Sequence, residues 1–478
     1  MAASGAVAAQ PKKAPAPQPE PPPPPPPPPG PDPETKAKLD EQAAAITKAT
    51  EQLAAQQKAI DALVAHDAEL QKSLDDARQA SDAAIAAEAK ARDAAIVKVA
   101  PAVQAGGFLQ VDAAMRQSSQ DELKQSGDPL NQDRFSIRRA RPKVSATYGA
   151  ISGVIELDAN TVNGMQVRPS NIEAAYQATP YLRAGMGIAK IPFGYEVEES
   201  DRTRLFLERS NAERALFPGE YDLGVKLTGA WKFLRYAAAA QNGEPVGEKG
   251  GFTLRDPNQA KDITARGGID VTSGDVRVAG GLSFLTGRGF HAGTPATKDQ
   301  LVWRDLNEDG VVNAGEIQVI AGQAATPSAS FDRFGLGADL ELYVDFHDYG
   351  KTMVYGEVVA AGNLDRANVI ADPIANGRDM RELGYYVAAI HAPTTWSMLG
   401  VRYDHYDPDA DANELRVGRV VPVDQTMSTL ALTGALVAPH GRLILEWDHN
   451  RNHLGRTVAG VPTNLGDDAI TLRAQVEL

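Results

Sequence analysis

The sequence predicts an all-β transmembrane barrel of about sixteen antiparallel strands, preceded by a disordered proline-rich arm and a long α-helical coiled coil. Three observations carry this expectation. Apolar and charged side chains alternate strictly in short segments after residue 101. The connections between those segments alternate short and long. A Gly- and Pro-poor region with heptad spacing comes before them. The expected divisions are therefore 1–33 as a disordered arm, 34–100 as coiled coil and 101–478 as barrel.

The arm comes first. "MAASGAVAAQ" lacks a charged n-region and a full apolar h-region, yet "AVAAQ" has the small residues that end a secretory signal, so a signal remnant is expected here. Residues 11–33, "PKKAPAPQPEPPPPPPPPPGPDP", form a polyproline II spacer, extended and without a core. Over 34–99 the heptad a positions read Leu39, Ile46, Leu53, Ile60, Asp67 and Leu74, and the d positions Gln42, Ala49, Gln56, Leu63, Leu70 and Ala77. Such a seam argues for a coiled coil in which the polar members set register or strand number. A single solvated helix would leave Ile46, Leu53, Ile60 and Leu63 bare.

In the barrel region the closing "ITLRAQVEL" is the clearest strand. Ile470, Leu472, Ala474, Val476 and Leu478 face one way, and Thr471, Arg473, Gln475 and Glu477 the other. "LRAGMGIAK" and "LGADLELYVD" repeat the pattern. A two-residue period with one dry and one wet face fits either a sandwich core or a barrel wall turned to lipid. Connection lengths decide. Strands are expected to start near Gly107, Phe135, Ala150, Ser170, Tyr181, Asp222, Leu234, Thr264, Asp275, Phe331, Thr352, Arg381, Ser397, Asp424, Ala438 and Asp467. Short links such as "TP" (179–180) and "SGD" (273–275) alternate with long ones at 189–221, 242–263, 286–330, 362–380, 407–423 and 450–466. Short turns at one end and long loops at the other is a barrel plan. Trp231, Phe233, Tyr236, Phe346, Tyr349, Tyr385, Tyr386 and Trp396 are expected as interfacial girdles.

Composition narrows the function classes. The net charge of −14 excludes a nucleic-acid partner. Cysteine is absent, which suits an envelope protein. There is no run of 18 apolar residues, so no transmembrane helix is expected, and barrel strands never make such a run. No H-E-x-x-H, G-x-S-x-G or P-loop is present, and the histidines are scattered, so an enzyme is not expected.

One motif stands apart. "DLNEDGVVNAGE" (305–316) matches the calcium loop D-x-[DN]-x-[DN]-G-x5-E in full. Asp305, Asn307, Asp309, Val311 (backbone carbonyl), Asn313 and Glu316 supply oxygen ligands at positions 1, 3, 5, 7, 9 and 12, and Gly310 makes the sharp turn. Neither flank reads as an amphipathic helix and no second loop pairs with it. The expectation is a structural calcium clip in an extracellular loop rather than a sensor.

Two blocks carry a family resemblance. "FSIRRARPKVSATYGAISGVIELD" (135–158) resembles the opening segment of the phosphate-selective porin O/P family. "YLRAGMGIAKIPFGYEVEESDRTRLFLERSNAERALFPGEYDLGV" (181–225) is similar to that family's "vG-x-x-K-x-P-F" strand end, acidic-serine stretch, "ER" and "R-D-x-G" elements. The resemblance implies a sixteen-stranded, trimeric outer-membrane porin for passive diffusion of small hydrophilic or ionic solutes, with phosphate or other anions preferred. It also implies that a long loop at 189–221 folds inward to narrow the pore. That loop carries Lys190, Glu196, Glu198, Glu199, Asp201, Arg202, Arg204, Arg209 and Arg214. Arg138 and Arg183 join the set from flanking strands, and Arg139, Arg141, Lys226 and Arg473 are further lumen or rim cations. The competing expectation for the loop charges is that they pair and pin the loop to the wall. Arg138 and Arg139 are adjacent, so a regular strand would send them to opposite faces. A reading of another class is an envelope scaffold, in which the barrel in the outer-membrane lipid anchors a periplasmic coiled-coil arm that reaches a cell-wall partner.

Overall fold

The computed structural model describes residues 33–98, 101–117, 133–247, 256–456 and 462–478. The chain divides into two compact units, 1–94 and 95–478. In the first, helix α1 runs from Pro33 to Lys98 over 66 residues. The side chains described along it are exposed, and pairs such as Gln57 to Asp61 at 2.9 Å link successive turns. No helix among the described residues is long and apolar enough to cross a membrane. Most of the proline-rich arm, residues 1–32, lies outside the described residues.

The second unit is built of strands. They are β1 (Ala102–Arg116), β2 (Arg134–Tyr148), β3 (Ile151–Asn160), β4 (Gln166–Thr179), β5 (Leu182–Lys190), β6 (Tyr221–Trp231) and β7 (Leu234–Gln241). Next come β8 (Asp262–Ser273), β9 (Val276–His291), β10 (Gln300–Trp303), β11 (Ile317–Ile320), β12 (Ala329–Asp345) and β13 (Lys351–Gly362). The last are β14 (Arg381–Thr394), β15 (Ser397–Asp407), β16 (Asn413–Arg416), β17 (Arg419–Pro422), β18 (Met427–Ala438), β19 (Gly441–Arg456), β20 (Pro462–Leu465) and β21 (Ala469–Glu477). Each long strand pairs antiparallel with the next, and β21 returns to β1. The sheet therefore closes, and closure removes both edges. β10–β11 and β16–β17 are small hairpins inside long loops, and β20 is a short strand beside β19.

Closure rests on alternation. Leu472 lies opposite Leu445 on β19 and Ala113 on β1, and Trp447 lies opposite Leu432 on β18. These residues form an apolar outer face. On the other face of β21, Arg473 and Gln475 are buried in the interior. Among the described residues no second layer packs on the outside, so the sandwich alternative falls away. Tight links such as 149–150, 232–233 and 274–275 join strands at one end, with Gly274 at φ 59° in open space. The chain's last residue sits at that end too, where Leu478 and Gly107 exchange backbone hydrogen bonds at 3.0 and 3.3 Å. The long connections gather at the opposite end.

Two expectations need correcting. Arg138 and Arg139 both face inward. The β1–β2 pairing passes from Gln110↔Arg139 to Val111↔Ile137, so Arg138 is the extra residue of a β-bulge and the alternation slips there. Tyr386 is no girdle residue. It is 4 % exposed and faces the interior, whereas Tyr385 beside it is exposed like the other six.

Candidate pore constriction

The third connection at the long-loop end, 191–220, turns into the barrel. Its entry needs glycine: Gly194 has φ +59°, and a Cβ there would lie 1.9 Å from Glu357 Oε1 of β13. Phe193 then packs on Phe217 with ring centroids 4.8 Å apart. Helix α2 (Asn211–Leu216) completes the loop. Two apolar clusters hold it. Ile191, Val197, Ala215 and Leu216 meet Leu285, Val359 and Tyr406 from the wall. Leu205, Phe206 and Leu207 meet Tyr355, Tyr386, Ala388, Ala431 and Ile444. Each Leu, Ile, Val or Phe among them contributes about 1.5–3 kcal/mol relative to exposure.

Wall carboxylates and guanidinia then catch the loop backbone. Glu446 of β19 accepts the Leu207 N–H at 3.0 and 3.1 Å. Arg402 of β15 donates to Glu208 O at 2.7 Å and pairs with Glu196 at 3.2 Å. Arg473 of β21 donates to Leu207 O at 2.8 Å while held by Asp112 of β1 at 2.7 Å. Gln110 and Gln475 donate to Asp201 O and Arg202 O at 3.0 Å each.

The loop's own charges are mostly consumed the same way. Arg138 binds Glu208 in a bidentate pair at 2.5 and 2.7 Å. Asp201 sits among Arg141 at 2.8 Å, Arg204 at 2.9 Å and Arg139 at 3.2 Å. Burial alone would push its carboxyl up, but Arg139, Arg141 and Arg204 hold it well below the usual range. Arg204 also binds Glu199 at 2.9 Å and Glu196 O at 3.0 Å. Glu196 is fully buried and accepts the Ser210 N–H at 2.7 Å. Arg209 reaches Phe217 O at 2.8 Å and Glu220 at 3.2 Å. Lys190 donates to Val197 O at 3.0 Å and to Glu199 O, and pairs with Glu220 at 3.2 Å.

A smaller set stays accessible. Arg183 binds Glu173 at 2.8 Å, and Glu198 binds Lys226 of β6 at 2.9 Å. Arg202 is half exposed and 3.6 Å from Glu477. Arg214 is exposed. A cavity of about 270 Å³ lies against this side, lined by Lys143, Glu156, Glu173, Arg183, Lys190 and Lys226. The wall partners Glu357, Arg402, Glu446 and Asp112 went unnamed in the sequence reading. Inward parity on their strands was the available signal.

The calcium-type loop lies in the connection between β9 and β12. Strands β10 and β11 flank it, with Trp303 opposite Ile317, where a sensor would have helices. Asp305 accepts the N–H of Asp309 at 3.1 Å and of Gly310 at 2.7 Å, and Asp309 accepts that of Val311 at 2.7 Å. Gly310 has φ +70°. Glu316 closes the loop, accepting from Trp303 Nε1 at 3.2 Å and Leu306 N at 3.3 Å. Burial acts to raise the Glu316 carboxyl, but hydrogen bonds from Trp303, Asn313 and Leu306 hold it below its usual value. Among the described residues no three His, Cys, Asp or Glu side chains converge as a metal cluster. The donor set here is two Asn, one backbone carbonyl and three carboxylates, all oxygen, which suits a hard cation.

No protein-family model matches the chain, and no curated protein matches it. Solved structures do. The outer membrane channel DcaP of Acinetobacter baumannii is 12% identical, with a TM-score of 0.49 over 79% of this chain and 97% of that one. The anion-selective porin from Comamonas acidovorans is 10% identical, with a TM-score of 0.48 over 79% of this chain and all of that one. OmpT of Vibrio cholerae, an outer membrane protein described in a trimer form, is 12% identical, with a TM-score of 0.46 over 79% of this chain and all of that one.

Proposed function

We propose that the chain is an outer-membrane porin for passive diffusion of small hydrophilic or ionic solutes. One observation carries this reading: a closed sixteen-strand barrel, apolar outside and charged inside, with the 191–220 connection folded into its lumen. In this reading the long-loop end is extracellular, and the short-turn end and the N-terminal arm are periplasmic. There its heptad seam would join copies of the chain, in keeping with a homotrimer. A cell-wall contact through the same arm is the further partner. Purified protein in a planar bilayer should conduct in discrete steps. Insertion without conduction would leave only the anchoring role.

Anion or phosphate preference is the finer reading. The motifs at 135–158 and 181–225 and the accessible Arg183 and Lys143 favour it. Arg183 and Lys226 each have an acidic neighbour, so the field is dipolar rather than purely basic. Added phosphate should reduce single-channel current; a reversal potential on the cation side in a salt gradient would count against it.

Calcium in the 305–316 loop is part of the same reading. Asp305, Asn307, Asp309, Val311 O, Asn313 and Glu316 would hold it, and the ion would order a surface loop without switching a partner. Chelation should lower the thermal transition of the wild type and leave Glu316→Gln unchanged. Equal melting of the wild type with and without calcium would sink the idea.

A further inference from the structure

The wall of β2, β3 and β4 leaves polar atoms of both kinds without partners around one cavity, the space of about 270 Å³ beside the folded loop. The donors come from β2. Lys143 lines the cavity, is exposed, and has no hydrogen bond or ion pair among the described residues. Arg141 gives Nη1 to Asp201 at 2.8 Å, but its Nε is buried without a partner among the described residues. The acceptors come from β3 and β4. Glu156 stands directly opposite Lys143 in the β2–β3 ladder. Its Oε1 accepts the Ser170 hydroxyl at 3.0 Å and lies 3.9 Å from Arg141, while Oε2 has no hydrogen-bond partner among the described residues. Asn171 Oδ1 is buried and also without one.

A β-bulge sets this pair of acceptors. The β3–β4 register passes from Glu156↔Asn171 to Leu157↔Pro169, so Ser170 is the extra residue. Ser170 thereby meets Glu156 while Asn171 lines the cavity. The other charges around the space are engaged. Arg183 binds Glu173 at 2.8 and 3.1 Å, and Gly185 makes room for that carboxylate, since a Cβ there would lie 1.8 Å from Glu173 Oε1. Lys226 donates to Glu198 and to Lys190 O at 2.9 Å each, and Lys190 pairs with Glu220 at 3.2 Å. Phe108 and Tyr221 supply the apolar lining, each ring centroid 5.9 Å from the Arg141 guanidinium.

Ammonium and guanidinium N–H groups only donate, and a carboxylate only accepts. A simple anion would satisfy Lys143 and Arg141 and set its charge against Glu156. A simple cation would fail in the opposite sense. A site discriminates against a ligand that leaves its polar groups unpaired. We propose that this cavity is a binding subsite for small zwitterions of the amino-acid type, with the anionic group on Lys143 and Arg141 Nε and the ammonium on Glu156 and Asn171. As a station on a solute's path the subsite rests on the channel reading above; as a binding site it does not.

Three probes of one carbon skeleton test it: leucine, isocaproate (the same chain without the ammonium) and isoamylamine (without the carboxylate). Binding to the purified full chain in detergent is read by saturation-transfer NMR, and block of ion current is read in planar bilayers. Leucine should bind tighter than either fragment by about ten-fold or more, the factor one charge-assisted hydrogen bond supplies. Lys143→Gln should abolish the advantage of leucine over isoamylamine, and Glu156→Gln its advantage over isocaproate. Isocaproate binding as tightly as leucine overturns the proposal in favour of a plain anion site. Equal or absent binding of all three overturns it in favour of a water-filled wall. Lys143 is exposed, so its variant decides the matter even if Glu156→Gln fails to fold, and leucine preference unchanged in Lys143→Gln overturns the assigned site. Leucine preference in a protein that does not conduct keeps the subsite and removes the channel. Conduction without that preference does the reverse.

Discussion

The two halves of the barrel interior are built differently. From β13 to β19 the inward residues include Tyr355, Val359, Tyr386, Ala388, Ala431 and Ile444, all buried against the loop. From β4 to β9 they include Glu173, Arg183, Lys226, Arg266 and Arg277. Glu173 with Arg183, Arg266 with Asp339 and Arg277 with Asp270 make cross-strand ion pairs, Lys226 pairs with Glu198 of the loop, and Arg183 and Arg277 remain accessible, Arg277 being 40 % exposed. Both halves obey the same two-residue alternation. They differ in what meets the inward face: an apolar loop on one side, open lumen on the other. A barrel wall can therefore carry apolar residues inside where a loop covers them, while its buried inward charges there, Glu357, Arg402 and Glu446, hold that loop.

The largest effect should come from the loop tether with the most cations on it. Asp201→Ala leaves Arg139, Arg141 and Arg204 facing one another, and breaking a buried ionic cluster costs about 3–5 kcal/mol. The loop should detach, conductance should rise several-fold, and the thermal transition should fall. In wild type, Asp201 is depressed by its arginines, so its tether holds at neutral pH and is lost only as the pH falls below the ordinary carboxylate range. Conductance unchanged in Asp201→Ala would erase the distinction between the two walls.

A milder break of the covered half is Gly384→Val. A Cβ at Gly384 would lie 2.2 Å from the Ala212 Cβ on α2, so the helix must shift. Overpacking of this kind costs about 1–3 kcal/mol. Noisier single-channel current with an intact barrel is the expected readout, and quiet wild-type current would show that α2 does not rest there.

The smallest change in stability belongs to the open half. Arg183→Ala removes a partly exposed pair and should shift stability by at most about 1 kcal/mol. It also removes a lumenal positive charge, so the reversal potential should move toward cation preference. A large loss of stability without a selectivity change would mean that this wall is covered as well.

Much of the barrel was legible in the sequence because alternation is a local property. Strand starts at Leu234, Arg381 and Ser397 coincide with those read from the residues, and Phe135 and Thr352 fall one position inside theirs. Exceptions to alternation were not legible. The bulge at Arg138 depends on how β1 pairs with β2, which no local pattern records. Nor does parity reveal what an inward residue will meet. Tyr386 and Ala388 read as ordinary strand residues until the 191–220 loop lies on them. The loop's charges were visible as a set, but their partners Glu446, Arg402 and Asp112 lie far away in sequence. The hairpin β10–β11 around the calcium-type loop was likewise hidden, since its strands are only four residues each.

The central claim is that solute passes along the β4–β9 wall while the loop seals the β13–β19 wall. The chain has no cysteine, so single-cysteine variants report cleanly. Arg277→Cys and Ala388→Cys should each be placed in a planar bilayer and treated with a charged thiol reagent. The account predicts a stepwise fall in current for Arg277→Cys and no change for Ala388→Cys. Block through Ala388→Cys with Arg277→Cys unaffected would contradict it.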